Sequence, residues 1–290
     1  MLFDDAVAAY IDAKRKRLRA NTLAGYESAI RCHLLPRWGG MRLEDIRRED
    51  VQSWVDAMSY GSAAKAYKTL RQVLRWSIRT YHLRIFCETD GVELPPAPIR
   101  LERTLTPKQL RRCTREWQGE PWECVALVQS SCGLRPCEAA ALTWRDVDLR
   151  TGEVRIDRGR HDVGRETYTW GTKTAKSRRT VVLPVYALAR LREIKRETRP
   201  RRDALLCALR PSSIYARMRR WFHAHGLEMC AQRLRHTFAT IAVASGVPIE
   251  TVAMELGHTS VETCYAHYVA RSVDVFRNAQ RSFAAAIMGT

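Results

Sequence analysis

Four short segments of the 290-residue sequence carry side chains that suit phosphoryl-transfer chemistry. Cleaving a phosphodiester without a metal ion requires a nucleophile, positive donors for the non-bridging oxygens and an acid for the leaving oxygen. Two arginines, a lysine and a tyrosine meet these needs. They lie in CGLRPCEAAAL around Arg135, GTKTAKSRR around Lys173, AQRLRHTFAT around Arg235, and ELGHTSVETCYAHYVA with His258 and Tyr268.

The first of these segments predicts an arginine at the start of a helix. Arg135 directly precedes Pro136, and proline is favoured at the first position of a helix. A guanidinium placed there can bind two phosphate oxygens at once. Glu138 lies in the same first turn, where we expect its carboxylate to hold Arg135 in place. Taken alone, the segment also fits an ordinary arginine at a helix start beside a surface glutamate.

Together and in this order, the four segments resemble the tyrosine recombinase family, the phage-integrase group of DNA strand-exchange enzymes. The resemblance extends over the second part of the chain, and the helical first part is similar to the core-binding domain of that family. It implies that cleavage proceeds through a 3′-phosphotyrosyl link. The residues it assigns are Arg135, Arg235 and His258 for phosphate binding, Tyr268 as nucleophile and Lys173 as the acid for the 5′ oxygen.

Two of these assignments have a rival close by. In the family the nucleophile usually follows the histidine of the L-G-H motif by nine or ten residues, which fits Tyr268 and leaves Tyr265 as a packing residue. The lysine of the family falls just after the second strand of a small sheet, which favours Lys173 over Lys176.

One position departs from the family pattern. Gln232 stands three residues before Arg235, where the family usually has a histidine. A glutamine can donate a hydrogen bond to a phosphate oxygen but cannot accept a proton at neutral pH. The acceptor of the tyrosine proton therefore stays open between His258, His267 and a phosphate oxygen. We interpret His236, which follows Arg235, as structural.

Hydrophobic periodicity divides the chain into two domains. Apolar residues recur every three or four positions through four segments between Phe3 and about Ile85, which predicts a four-helix bundle. The stretch ETDGVELPPAPIR then breaks every period and holds three prolines. We therefore predict a helical DNA-binding domain at 1–88, a linker at 89–102 and a catalytic domain at 103–290.

The predicted catalytic domain is mainly helical, with three short strands read from GEVRID, roughly YTWGTK, and RRTVVLP. Thr106 is the expected cap of its first helix, and Gly133 is the expected end of its second. The fold class is thus mainly α with a small antiparallel sheet: an N-terminal SAM-like core-binding bundle and a C-terminal α+β tyrosine-recombinase domain. An apolar stripe in 272–288 predicts a tail helix, which docks either on its own domain or on a neighbouring copy.

The charge of the chain predicts a polyanionic partner. Forty-nine Lys and Arg against 31 Asp and Glu give a net charge of +18 and a pI near 10.0. A solvated basic surface is the simpler alternative. The candidate DNA-contacting residues of the helical bundle are Lys14, Arg15, Lys16, Arg17, Arg19, Lys65, Lys68 and Arg71.

Several classes of protein are disfavoured. The nine cysteines form no C-x-x-C pair, so we expect neither a zinc site nor any other metal site. The N-terminus lacks the features of a signal peptide, and no apolar run reaches the ~18 residues of a membrane span. These features predict a cytoplasmic protein with reduced cysteines and no membrane association. The first helix begins at once, so we expect no separate arm-binding domain before it.

The resemblance implies no metal, ATP or organic cofactor, because each cleaved phosphodiester is kept as a phosphotyrosine ester. The implied partners are double-stranded DNA recombination sites, three further copies in a homo-tetramer on DNA, and accessory DNA-bending or directionality factors. The implied role is integration or excision of a mobile element. Two alternatives stay open: a helix-turn-helix repressor built around the Gly246 turn, and a type IB topoisomerase.

We predict that affinity for DNA falls steeply as salt rises. Each phosphate neutralised by a basic side chain releases condensed counterions, giving a slope of about −0.9 per phosphate in a plot of log affinity against log salt. Fluorescence anisotropy of a labelled duplex across a salt series measures the slope. A flat response would contradict an electrostatic origin of binding.

Overall fold

The computed structural model describes residues 1–98, 103–171 and 178–258. The chain divides into two compact units, Met1–Leu101 and Glu102–Thr290. Each unit has a hydrophobic core of its own, so each is described by itself. The exact bounds of the predicted domains stay a prediction.

The first unit is a bundle of helices around one apolar core. Its α-helices are α1 (Phe3–Arg15), α2 (Ala20–Ala29), α3 (Leu35–Trp38), α4 (Arg48–Asp56) and α5 (Tyr60–Thr80). The core forms because apolar side chains recur on one face of each long helix. Its largest fully buried members are Trp38, Tyr10, Phe3, Leu34, Ile46 and Leu70.

A π-helical turn joins α2 to α3. It spans Ile30–Leu34, and the backbone N–H of Leu35 donates to the carbonyl of Ile30. Pro36 follows directly and has no N–H to donate, so a regular α-helical ladder is interrupted here. The sequence pattern predicted a single helix across this stretch, and the proline explains why its middle departs from α-helical hydrogen bonding.

The segment after α5 is fastened to the first unit. The Tyr67 hydroxyl donates to the carbonyl of Thr89 at 2.8 Å. Gln52 pairs with both backbone groups of Glu93, at 2.9 and 3.0 Å. The beginning of the predicted linker is therefore held by side chains of α4 and α5.

The second unit surrounds one fully buried helix. That helix is α7 (Glu123–Cys132), and all ten of its residues are buried. It packs against α8, α9 and α11, which explains why even its polar residues Glu123, Gln129, Ser130 and Ser131 are buried. The other α-helices in the described part of this unit are α6 (Pro107–Glu116), α8 (Pro136–Ala139), α9 (Val185–Thr198), α10 (Pro211–Ala224), α11 (Ala231–Ala244) and α12 (Ile249–Leu256).

Four strands in two antiparallel pairs complete the described part of this unit. The strands are β1 (Glu153–Ile156), β2 (Arg158–Val163), β3 (Glu166–Gly171) and β4 (Arg179–Val182). β1 pairs with β4, from Glu153 opposite Val182 to Ile156 opposite Arg179. β2 pairs with β3, from Arg158 opposite Gly171 to Val163 opposite Glu166. The mainly helical fold with small antiparallel sheets is confirmed.

The prediction of three strands was wrong, because it missed β2. The sequence of β2, RGRHDV, lacks the alternation of apolar and polar residues that marks a half-buried strand. Its side chains are held by polar contacts instead. Arg160 donates to the carbonyl of Leu209 at 2.9 Å, and Asp162 accepts from the backbone N–H of Ser212 at 2.8 Å.

Both predicted helix signals are confirmed. Thr106 caps α6 in a reciprocal capping box with Gln109, and α7 ends at Gly133 in the left-handed conformation. Within the part of the chain that the structure describes, no helix has the length and apolar character needed to cross a bilayer.

We predict that Gly133→Ala destabilises the second unit by about 2–4 kcal/mol, the sum of backbone strain and overpacking. Gly133 has φ +64, and an added Cβ would lie 2.5 Å from the Phe238 ring and 2.6 Å from the Leu256 side chain. Thermal and denaturant unfolding measure the loss.

Gly246→Ala is the matched control. Gly246 also has positive φ (+88), but apart from Gly246 and its two chain neighbours no described residue has an atom within 4 Å of the position of its added Cβ. Its cost is therefore expected to be the backbone strain alone, about 1 kcal/mol. Equal losses in the two variants would contradict the close packing at Gly133.

Candidate active site

The ends of α7 and α12 meet at two glycines. Both Gly133 and Gly257 have positive φ, +64 and +66, and Gly133 packs against Leu256. Arg235 on α11 donates from Nη1 to the carbonyl of Gly133 at 2.9 Å. Arg135 donates from Nη2 to the carbonyl of Gly257 at 3.1 Å. The two arginines nominated from the sequence are thus both tied to one junction of helix ends.

Arg135 is held by the glutamate predicted to support it. Its Nη1 donates to Oε1 of Glu138 at 2.7 Å, and its backbone N–H donates to Oε2 at 2.9 Å. The side chain of Arg135 is 35% exposed, whereas that of Glu138 is 5% exposed. A buried carboxylate therefore orients a guanidinium that still reaches the surface.

Arg179, the first residue of β4, is a further partner of the same carboxylate. Its Nη2 donates to Oε2 of Glu138 at 2.9 Å and its Nη1 to Oε1 at 3.3 Å. Sequence reasoning missed this residue. The available signal was the period-two pattern of the strand, which puts Arg179 on the same face as the buried Val181.

Opposing influences act on the pKa of Glu138. Burial raises the pKa of the carboxyl, but the hydrogen bonds and charge of Arg179, together with those of Arg135, outweigh burial and hold it below its ordinary value. Glu138 is therefore a carboxylate at neutral pH, able to accept from both guanidinium groups.

The remaining described candidates lie on α11 and at the end of α12. Arg235 is 3% exposed, His236 is half-buried, and Gln232, three residues before Arg235, is exposed. His258 is half-buried, and its backbone N–H donates to the carbonyl of Ala253 at 3.0 Å. The structure thus places His258 directly after the glycine whose carbonyl Arg135 binds.

The nucleophile and acid nominated from the sequence lie outside the described residues. These are Tyr268 and Lys173, together with their rivals Tyr265 and Lys176 and the candidate proton acceptor His267. Their roles stay predictions, as does the tail helix.

An open basic cleft of about 830 Å³ adjoins the strands. Gly171 and Arg178, which flank the segment containing Lys173, both line it. Arg179, which binds the carboxylate that holds Arg135, lines it as well. The other arginines of its lining are Arg145, Arg155 and Arg158.

The basic residues nominated on the first unit differ in their surroundings. Lys14 is half-buried with its Nζ 5.3 Å from the centre of the Tyr10 ring, and Arg71 is paired with Asp90 at 3.1 Å. The charge of Arg71 is thus partly compensated within the unit. The exposed members of the set are Arg15, Lys16, Arg17 and Arg19 on or after α1, and Lys65 and Lys68 on α5.

Across residues 1–98, 103–171 and 178–258, no group of three or more His, Cys, Asp and Glu side chains is arranged to hold a metal ion. Guanidinium groups dominate the described site, and such groups suit the binding of an anion.

Models of two protein families match this chain. The model of the phage integrase family matches residues 103–274, and that of the phage integrase N-terminal SAM-like domain matches residues 2–59. The first match alone covers more than half of the chain.

Two curated relatives are similar over most of this sequence. The tyrosine recombinase XerC of Ralstonia pickettii (strain 12J) is 28% identical, over 88% of this chain and 86% of that protein. An integrase of Streptomyces ambofaciens is 26% identical, over 78% of this chain but only 65% of that protein. The chain thus spans less than two thirds of the latter relative.

Solved structures share the fold at low sequence identity. The Tn1549 transposon integrase, in complex with transposon right end DNA, matches with a TM-score of 0.81 at 16% identity, over 98% of this chain and 100% of that one. A lambda integrase tetramer bound to a Holliday junction matches with a TM-score of 0.70 at 17% identity, over 90% and 78%. These likenesses show the fold alone. The family model that matches residues 103–274 shows that the chain belongs to the phage integrase family of tyrosine recombinases.

Proposed function

We propose that this chain is a site-specific DNA recombinase that cuts and rejoins DNA through a 3′-phosphotyrosyl intermediate, integrating or excising a mobile element. The observation that carries the proposal is the setting of Arg135. Its guanidinium is partly exposed, is fixed by the buried carboxylate of Glu138, and binds the carbonyl just before His258.

This setting suits a phosphate whose charge increases during reaction. A guanidinium fork fits two oxygens of a phosphate, and donors already held in place need no reorganisation as charge develops. Arg235 is 3% exposed, and charges act more strongly where water is excluded. We assign Arg135, Arg235 and His258 to the scissile phosphate, and Gln232 as a hydrogen-bond donor to it in place of the usual histidine.

The nucleophile and acid are proposed from the sequence pattern. A phenol with a pKa near ~10 is almost fully protonated at neutral pH, so Tyr268 needs nearby cations and a proton acceptor. The oxygen of Tyr268 forms a bond to phosphorus while the bond to the 5′ oxygen breaks. Lys173 gives its proton to that 5′ oxygen. The tyrosine proton passes to His258, His267 or a phosphate oxygen.

The family relatives support duplex DNA as the substrate. The Tn1549 integrase was solved on transposon end DNA and the lambda integrase as a tetramer on a Holliday junction. For this chain we propose paired recombination sites, a homo-tetramer on DNA, and accessory bending or directionality factors. We place the reaction in the cytoplasm, with no cofactor step. The exposed basic residues of the first unit, from Arg15 to Lys68, would contact DNA phosphates.

We predict that Tyr268→Phe abolishes the covalent protein–DNA complex and leaves site binding intact, because it removes only the attacking oxygen. Denaturing gels of a nicked substrate measure the adduct, and gel shifts measure binding. Tyr265→Phe is the matched control, which should keep at least part of the adduct.

An adduct that maps to Tyr265 would show that the spacing from His258 was misread. A wild-type protein that binds DNA but never forms an adduct would instead indicate a repressor built on α11 and α12. Relaxation of supercoils without any defined site would indicate a topoisomerase.

We predict that Lys173→Ala slows cleavage and that a substrate with sulfur at the 5′ bridging position restores the rate. A thiolate leaves without needing a proton, so only a missing acid is rescued in this way. Cleavage rates of the oxygen and sulfur substrates are compared for each variant. If the sulfur substrate restored the cleavage rate of Lys176→Ala and not that of Lys173→Ala, the acid for the 5′ oxygen would be Lys176.

A further inference from the structure

Arg179 occupies an interior position at the beginning of β4. It pairs across the sheet with Ile156 and lies on the same face as Val181. Its side chain is only 8% exposed. An arginine this buried needs a compensating charge and a full set of hydrogen bonds.

The compensating charge is the carboxylate of Glu138, which two arginines share. Oε1 accepts from Nη1 of Arg135 at 2.7 Å and from Nη1 of Arg179 at 3.3 Å. Oε2 accepts from the backbone N–H of Arg135 and from Nη2 of Arg179, each at 2.9 Å. Each oxygen is therefore bound by both arginines, which fixes the plane of the carboxylate.

The same two arginines also bind the carboxyl end of α12. Nε of Arg179 donates to the carbonyl of Glu255 at 2.5 Å, and Nη2 of Arg135 donates to that of Gly257 at 3.1 Å. Carbonyls in the last turn of a helix lack intrahelical donors and attract positive charge. Glu138 and the segment leading to His258 are thus joined through Arg179 as well as through Arg135.

We propose that Arg179 is a positioning residue for strand cleavage, which sets the Glu138 carboxylate that orients Arg135 and fixes the end of α12 that precedes His258. This inference rests on the proposed recombinase function. The added residue, Arg179, was not nominated from the sequence. It lies on β4, more than forty positions after Arg135.

Exposure separates the roles of the two arginines. Arg135 is 35% exposed and can reach a phosphate, whereas Arg179 is 8% exposed and all three of its guanidinium nitrogens donate to protein oxygens. Arg179 therefore acts through Glu138 and α12, without touching the DNA.

Loss of Arg179 would also change how the site responds to pH. Burial raises the pKa of Glu138, and the hydrogen bonds from Arg179 are the foremost influence lowering it. Without them the pKa rises, so Glu138 becomes protonated as pH falls and its bonds to Arg135 weaken. Among the described residues, Arg135 and Cys137 interact electrostatically with this carboxylate, and Cys132 and Glu255 interact with Arg179. His258 follows Gly257, whose carbonyl Arg135 binds.

The test compares Arg179→Met with Arg190→Met. Arg190 forms a similar buried ion pair elsewhere in the unit, donating to both oxygens of Glu123 at 2.7 and 3.2 Å with 19% of its side chain exposed. Both variants lose a buried pair, but only the first touches Glu138. Single-turnover formation of the covalent adduct on saturating DNA is measured from about pH 6 to about pH 9, with binding and thermal unfolding measured alongside.

We expect Arg179→Met to bind DNA within about twofold of wild type and to cleave about 100-fold more slowly near pH 6. The deficit should shrink to about tenfold near pH 9, where Glu138 stays ionised. Arg190→Met should follow the wild-type pH profile. Equal pH profiles for the two variants, or an Arg179→Met defect confined to binding, would overturn the inference.

Two further variants keep the test decisive if Arg179→Met folds poorly. Arg179→Lys retains the charge but cannot bind both carboxylate oxygens and the α12 carbonyl together. We therefore expect its pH profile to approach that of the wild type, while its rate of adduct formation stays lower. In a Glu138→Gln background, adding Arg179→Lys should no longer change the pH profile. A change that persists there would show that Arg179 acts independently of Glu138.

Failure of this inference is distinct from failure of the proposed function. A wild-type protein without any covalent adduct refutes recombinase chemistry itself. A wild-type protein that forms the adduct, with an Arg179→Met variant that matches it at every pH, refutes only the role of Arg179.

Discussion

The buried carboxylate of Glu138, shared between two guanidinium groups, is the interaction on which the site depends. It joins three parts of the chain that are far apart in sequence: the beginning of α8, the beginning of β4 and, through Arg179, the end of α12. Removing one partner of a buried ion pair costs about 3–5 kcal/mol, because a charge is left without compensation. The arrangement therefore resists distortion. An arginine that is to stabilise a phosphate without reorganising needs its side chain fixed in this way.

Close backbone packing brings these elements together. Gly133 ends the fully buried helix α7 and lies against Phe238 and Leu256, and only a residue without a Cβ fits there. Gly257 ends α12 and places its carbonyl within reach of Arg135. The carbonyls of both glycines accept from the two arginines nominated for phosphate binding. These hydrogen bonds satisfy carbonyls at the two helix ends and at the same time orient the side chains of Arg135 and Arg235.

Much of this site could be predicted from local sequence. Thr106 and Gly133 mark helix boundaries through capping chemistry that acts over a few residues, and Arg135 and Glu138 lie within one turn. Contacts between residues far apart in the chain are harder to predict from the sequence. Strand β2 is held by polar bonds that no alternating pattern reveals.

The pairing of charges over long distances was the hardest feature to foresee. The pairing of Arg179 with Glu138 spans two elements, and Arg71, nominated for DNA contact, is paired with Asp90 beyond the end of α5. A sequence shows which side chains are charged, but the fold decides which of them compensate each other and which remain for a ligand.

The most direct measurement of the central claim is a structure of the Tyr268→Phe variant on a duplex containing its recombination site. The non-bridging oxygens of the scissile phosphate should then be bound by Arg135, Arg235 and His258, with Arg179 still on Glu138 and away from the DNA. A scissile phosphate bound elsewhere, or contacted by Arg179 in place of Arg135, would contradict the assignment of this site.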